Sequence, residues 1–182
     1  MKLPQCYVPH LDHRITVLMT FTVRRDGGFF GSDHGESKEL GDVYRASLEG
    51  AAIMLRMLLE FVGVKAKFNV PGKLTESDKR DHVLGEGDLG HIAAVDINKL
   101  DTSEEPFLAR MHDEASKRTA HAGFHKVPLG LNPDELRKVT KWILKQIWNR
   151  CYDPDEAITI HRDLFSLLKD GKWEGIPFQP AA

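Results

Sequence analysis

The segment SKRTAHAGFH, residues 116–125, sets His121 three positions after Arg118 and His125 four positions after His121. On a helix such spacings stack residues on one face, with Glu114 one turn before Arg118. Arginine is permanently charged and grips phosphate oxygens with a two-pronged fork, whereas histidine titrates near neutrality and serves as general acid or base. Arg118, His125 and His121 are therefore candidates for acid–base chemistry on a phosphate group. A second reading is a metal site, because Glu114, His121 and His125 offer a carboxylate and two imidazoles, enough ligands for a catalytic zinc. Against it, this HxxxH lacks the intervening glutamate of helical zinc proteases, and Gly123 weakens the helix between the histidines. A third reading is structural: Arg118 pairs with Glu114, and the histidines decorate a helix end whose dipole favours cations.

Lys117 and Lys126 flank the cluster, and Arg137, Lys138, Lys141 and Lys145 form a basic stripe on the following helix. Arg137, Lys141 and Lys145, with Lys117 and Lys126, are candidates for contacting a phosphate backbone. A solvated helix face explains the same stripe. His91, His112 or His161 could add a metal ligand, but no spacing requires it. His10, His13, His34, His82, His91 and His112 belong to no constellation, and no cofactor is expected.

The elements that must hold these residues are mostly helical. Residues 42–62, DVYRASLEGAAIMLRMLLEFV, carry Arg45, Glu49, Arg56 and Glu60 in one narrow stripe and are otherwise almost wholly apolar or small. A helix so patterned is mostly surrounded by protein, with the stripe as a solvated or interfacial seam of ion pairs and Gly63 as its stop. A second helix covers roughly 103–122, opened by a capping box over Thr102–Glu105, with Phe107, Leu108, Met111 and Ala115 inward and Gly123 ending it. A third starts at NPDELRK with Asn132 as N-cap and Pro133 in the first position. It packs Leu136, Val139, Ile143 and Ile147 inward, joined by Trp142 and Trp148, and stops near Tyr152. A shorter helix is expected over 155–169. RITVLMTFTV reads either as a strand turned by Asp26-Gly27-Gly28 or as a helix with Ile15, Leu18 and Met19 inward. Residues 63–100 read as a long excursion holding a short hairpin or helix.

With 182 residues, the chain suits one buried core, so a single domain over 1–182 is expected, with the excursion at 63–100 and an irregular tail at 170–182. The formal net charge of −2 argues against coating nucleic acid through bulk charge, while leaving room for a local basic stripe. Two cysteines give no disulfide framework and no metal-type spacing. The first residues lack the apolar core of a signal peptide, and AAIMLRMLLEFVGV is too short and too charged to span a bilayer. A cytoplasmic location without a membrane partner is expected.

The order of these segments resembles the HEPN superfamily, small α-helical proteins that often dimerise and often act as metal-independent ribonucleases. RASLEGAAIMLRMLLEFVGVK resembles the long central helix of that family. SKRTAHAGFH followed by LNPDELRKVTKWILKQIWNR resembles the junction carrying its Arg-x(4–6)-His motif, which Arg118 and His125 match with six residues between them. His121, two residues after Arg118, lies outside the motif, and Thr119 stands where the family often has Asn, Asp or His. The resemblance covers roughly residues 42–62 and 103–152. It implies a mainly α, HEPN-like helical bundle and a homodimer, to which the residues themselves add room for a small β-hairpin near 14–30 or 63–100. It further implies RNA or a nucleotide as ligand, with an antitoxin-like protein partner, in a stress, toxin–antitoxin or phage-defence setting. Arg118 would hold phosphate, His125 would act as acid/base and His121 would assist. Members without activity imply the alternative of a silent dimerisation or partner-binding module.

Overall fold

A computed structural model describes residues 11, 13–19, 38–76, 83–84, 87–88, 94–120 and 133–151, with side-chain detail at 11, 13–19, 46–76, 94–117, 134–147 and 149–150. The protein is mainly helical with small antiparallel hairpins. In chain order the elements are α1 (residues 13–19), α2 (Lys38–Phe61), β1 (Val64–Ala66), β2 (Leu74–Glu76), β3 (Val83–Leu84), β4 (Gly87–Asp88), a 3-10 turn (Ile97–Lys99), α3 (Glu104–Ala120) and α4 (Pro133–Cys151). No helix among the described residues is long and apolar enough to cross a membrane. The expected helix over 155–169, the N-cap Asn132 and the stop Gly123 lie outside the described residues.

One core joins the helices. Leu11, Ile15, Leu18 and Met19 are buried at helical spacing, so 13–19 takes the helical alternative rather than the strand. The remainder of that segment, 20–30, lies outside the described residues. α2 contributes Leu48, Ala51, Ala52, Leu55, Leu58, Leu59 and Phe61, and α3 contributes Leu108, Ala109, Met111 and Ala115. α4 brings the expected Leu136, Val139, Ile143 and Ile147, together with Leu144. Phe107 and Trp142 are only half-buried against this core.

α3 and α4 run antiparallel. Arg110 in α3 holds Glu135 at the start of α4 through both guanidinium nitrogens, and Trp142 Nε1, two turns further along α4, donates to Glu104 Oε1 at 3.1 Å. Moving up α4 therefore moves down α3. Lys138 and Arg110 also lie over the Phe107 ring, 4.9 and 5.9 Å from its centroid.

One expectation is corrected here, and one open alternative is decided. The helix-opening box sits one residue earlier than Thr102–Glu105: Glu104 Oε2 accepts the Asp101 N–H at 3.1 Å, and the Asp101 carbonyl accepts the Glu104 N–H at 2.9 Å. Glu105 is thereby released to brace the first hairpin, accepting Leu74 N–H at 3.3 Å and the Lys73 ammonium at 2.8 Å. The alternative decided concerns the charged stripe of α2, expected as a solvated or interfacial seam. Arg56 and Glu60 do pair, at 2.9 Å, but Glu60 is only 7% exposed and faces α3 rather than solvent. The Arg45 side chain lies outside those described.

The excursion after α2 holds a hairpin, with β1 and β2 paired Val64 to Glu76, Lys65 to Thr75 and Ala66 to Leu74. A second, minimal hairpin pairs Val83 with Asp88 and Leu84 with Gly87. Gly63 makes the exit from α2 possible. Its φ is +86°, and a Cβ there would sit 3.1 Å from the Ala94 Cα, where Val95 N–H bonds the Val62 carbonyl at 2.8 Å.

Two glycines in α2 and its exit give opposite expectations. Gly63→Ala adds both positive-φ strain and a backbone clash, and is expected to destabilise by about 1–3 kcal/mol in urea denaturation. Gly50→Ala sits inside the helix, with its Cβ 3.6 Å from Val17 Cγ1, an ordinary contact. It is expected to be neutral or to stabilise by up to about 1 kcal/mol in the same measurement.

Candidate functional site

Arg118 lies in the last turn of α3, so the Arg/His segment begins where that helix ends. Its side chain, together with His121, His125 and Lys126, lies outside the described residues. The antiparallel pairing puts this end of α3 at the same end of the bundle as the first turn of α4. Asp134 and Glu135 occupy that first turn, where the helix dipole favours them.

Of the remaining candidates, Lys117 is exposed and its ammonium bonds Glu114 Oε1 at 2.6 Å. Glu114, the carboxylate of the metal alternative, is thus engaged by Lys117. Among the described residues no three His, Cys, Asp or Glu side chains converge as metal ligands. On α4, Arg137 and Lys141 are half-buried and Lys145 is exposed. With Lys138 they follow one another at helical spacing on the side opposite Leu136, Val139, Ile143 and Ile147. The basic stripe lies on the side of α4 away from the core, with Arg137 Nε buried and Lys138 over the Phe107 ring.

One turn and a half before Arg118, the structure builds a polar network that the spacing of the sequence did not single out. His112 is 4% exposed, and its Nε2 lies 3.1 Å from Glu60 Oε1 across the α2–α3 interface. The same carboxylate oxygen accepts Arg56 Nε at 2.9 Å, and Ser116 Oγ lies 3.4 Å from His112 Nδ1. With Nε2 protonated, His112 donates to Glu60 and leaves Nδ1 to accept the Ser116 hydroxyl. Burial pushes the Glu60 carboxyl upward, but the hydrogen bonds and charges of His112 and Arg56 outweigh it and hold the group below the ordinary glutamate value.

This network ties α3 to α2. A buried carboxylate leaves its partner little rotational choice, because an unsatisfied charge in the interface is costly. His112 therefore sets the rotation of α3 about its own axis, and with it the direction of the last turn that carries Arg118. The helical period held a clue: position 112 adjoins Met111 and precedes Ala115 by three, both on the inward face. Glu60 gave no such signal, since its spacing from Arg56 alone suits an exposed pair equally well.

A separate cavity of about 340 Å³ lies between residues 94–104 and α4, with Asp96, Lys99, Glu104, Trp142, Gln146 and Arg150 among its lining. It sits by the start of α3, about 20 Å along that helix from Arg118. Its charged groups are engaged locally, Lys99 with Asp96 at 3.2 Å and Arg150 Nη1 with the Ala94 carbonyl at 2.7 Å. Compared with family models, with curated proteins and with solved structures, the chain has no match.

The network has a pH signature. A carboxyl held below its unfolded value stabilises the fold above that value, about pH 4.3, and loses this contribution as the pH falls through the folded one. Stability of the native chain is expected to decline over that acid range, and Glu60→Gln is expected to flatten the decline in urea melts taken at successive pH values. His112→Ala, which strips Glu60 of one partner and empties an interface position, is expected to cost about 2–4 kcal/mol at neutral pH.

Proposed function

We propose that this chain is a HEPN-like helical protein that cleaves RNA without a metal ion, at the end of α3. The observation that carries this reading is the locking of α3 to α2 by the buried His112–Glu60 pair just ahead of Arg118. A cleavage site built on a short Arg/His segment needs a rigid base, since small misplacements of a catalytic group are costly in rate. Two features lend further support: the antiparallel α3–α4 pair that the segment connects, and the basic face of Arg137, Lys141 and Lys145 away from the core.

In this reading Arg118 grips the scissile phosphate with its guanidinium fork. His125 removes the 2′-OH proton, the 2′-oxygen attacks phosphorus, and the 5′-oxygen leaves with a proton returned by an imidazole. His121 orients the nucleophile or supplies that second proton. Two copies related by a twofold axis would bring two such sets into one groove, which makes a homodimer the working assembly. Lys117, Lys126 and the α4 stripe would follow the RNA backbone, giving binding that weakens as salt rises.

The decisive experiment is cleavage of mixed RNA in EDTA by the native chain, Arg118→Ala and His125→Ala. Cleavage that survives EDTA and falls at least about a hundredfold in either variant is the expected result. Cleavage abolished by EDTA would favour the Glu114, His121 and His125 metal site. Absence of cleavage, or cleavage indifferent to both variants, would overturn the nuclease reading and leave a helical binding module.

A further inference from the structure

The β1–β2 hairpin carries an aromatic ring that contributes nothing to the core. Phe68 is 87% exposed and Val70 39%, and they are the exposed large hydrophobics among the described residues. Such exposure would be unremarkable on a loose loop, but the backbone of this tip is hydrogen-bonded. Lys67 N–H bonds the Lys73 carbonyl at 2.8 Å, Val70 N–H the Lys67 carbonyl at 3.2 Å, and Lys73 N–H the Val70 carbonyl at 3.2 Å. Asn69 and Gly72 hold positive φ at +58° and +72°, which closes the turn. At its base the hairpin is buried through Val64 and Leu74 and braced to α3 by Glu105. The ring is therefore carried on a backbone that folding has already ordered.

The charge beside the ring is positive. The ionisable residues of the hairpin are Lys65, Lys67, Lys73 and Glu76, and Glu76 stands at the base opposite Val64, away from the tip that carries Phe68. Glu105 takes Lys73, and the nearest preceding acid, Glu60, is buried on Arg56 and His112. Lys67 is exposed beside Phe68. An exposed ring with a cation at its side is the pairing that single-stranded nucleic acid requires: a face for a base to stack on and a charge for the backbone. A protein partner fits less well, because two apolar side chains fall far short of the roughly 800 Å² per partner of a stable interface.

We propose that the β1–β2 hairpin is a contact site for single-stranded nucleic acid, with Phe68 stacking on a base and Lys67 meeting the adjoining phosphate. The inference rests on the ribonuclease reading only for naming RNA as the natural strand; the chemistry of the tip asks for an unpaired base and a phosphate backbone.

The test measures anisotropy of a fluorescein-labelled 2′-O-methyl oligouridylate, which binds as RNA does but lacks the hydroxyl that cleavage requires. The full chain is compared with Phe68→Ala, Phe68→Trp and Lys67→Glu. Phe68→Ala is expected to weaken binding at least about fivefold, with Phe68→Trp restoring it. Lys67→Glu is expected to weaken binding and to lower its salt dependence. Because Phe68 is exposed, thermal melting should not move in either Phe68 variant. Native binding equal in Phe68→Ala would overturn the proposal, as would no binding by the native chain. It would equally be overturned if the change altered only adsorption to phosphatidylserine vesicles or self-association. The two readings fail separately. His125-dependent RNA cleavage with binding indifferent to Phe68 sinks the hairpin site alone, whereas Phe68-dependent binding without cleavage sinks the nuclease alone.

Discussion

The contact between the Glu60 carboxylate and the His112 ring constrains most of what surrounds it. Both groups lie inside the α2–α3 interface, and neither can turn away without leaving a polar atom unsatisfied in an apolar setting. Leu58, Leu59, Met111 and Ala115 pack nearby in the sequence of their helices and supply the hydrophobic drive, yet apolar packing alone tolerates small rotations and slips. A directional pair, with Arg56 on one side and Ser116 on the other, does not. Buried polar pairs are often worth little in net stability; what this one contributes is a single rotation of α3.

That rotation propagates in both directions along α3. Toward its start, Glu105 faces the hairpin while Glu104 faces Asp101 and Trp142, so adjacent carboxylates serve different neighbours. Toward its end, the last turn delivers Arg118 to the junction with α4. The two ends of one helix thus host two different polar environments. One is a braced hairpin and a mixed-charge cavity whose groups engage one another; the other lies beside the first turn of α4, with Asp134 and Glu135.

The hairpin illustrates how a carboxylate is redirected by a one-residue shift. Both Glu104 and Glu105 are chemically suited to close a capping box, and the choice falls to Glu104 because Asp101 supplies the reciprocal backbone groups. Glu105 then points across to Leu74 and Lys73, and the excursion after α2 gains a fixed base instead of remaining a tether between helices.

Helix identity and inward faces were legible in the chain itself. The period of Leu136, Val139, Ile143 and Ile147, the apolar breadth of α2 and the stop at Gly63 are local properties that any packing must respect. The same local evidence left residues 13–19 undecided between strand and helix, because Ile15, Leu18 and Met19 suit a buried helix while their alternation with threonine suits a sheet. Only a neighbouring surface decides such a case, and Val17 against Gly50 of α2 is part of it. Likewise, Arg56 and Glu60 announced an ion pair from their spacing, but whether that pair faced water or protein depended on a histidine fifty-two positions away. Spacing reports which residues share a face. Which faces meet is set by the packing of the whole chain, and that is why the buried network at the α2–α3 interface emerged only from the tertiary structure.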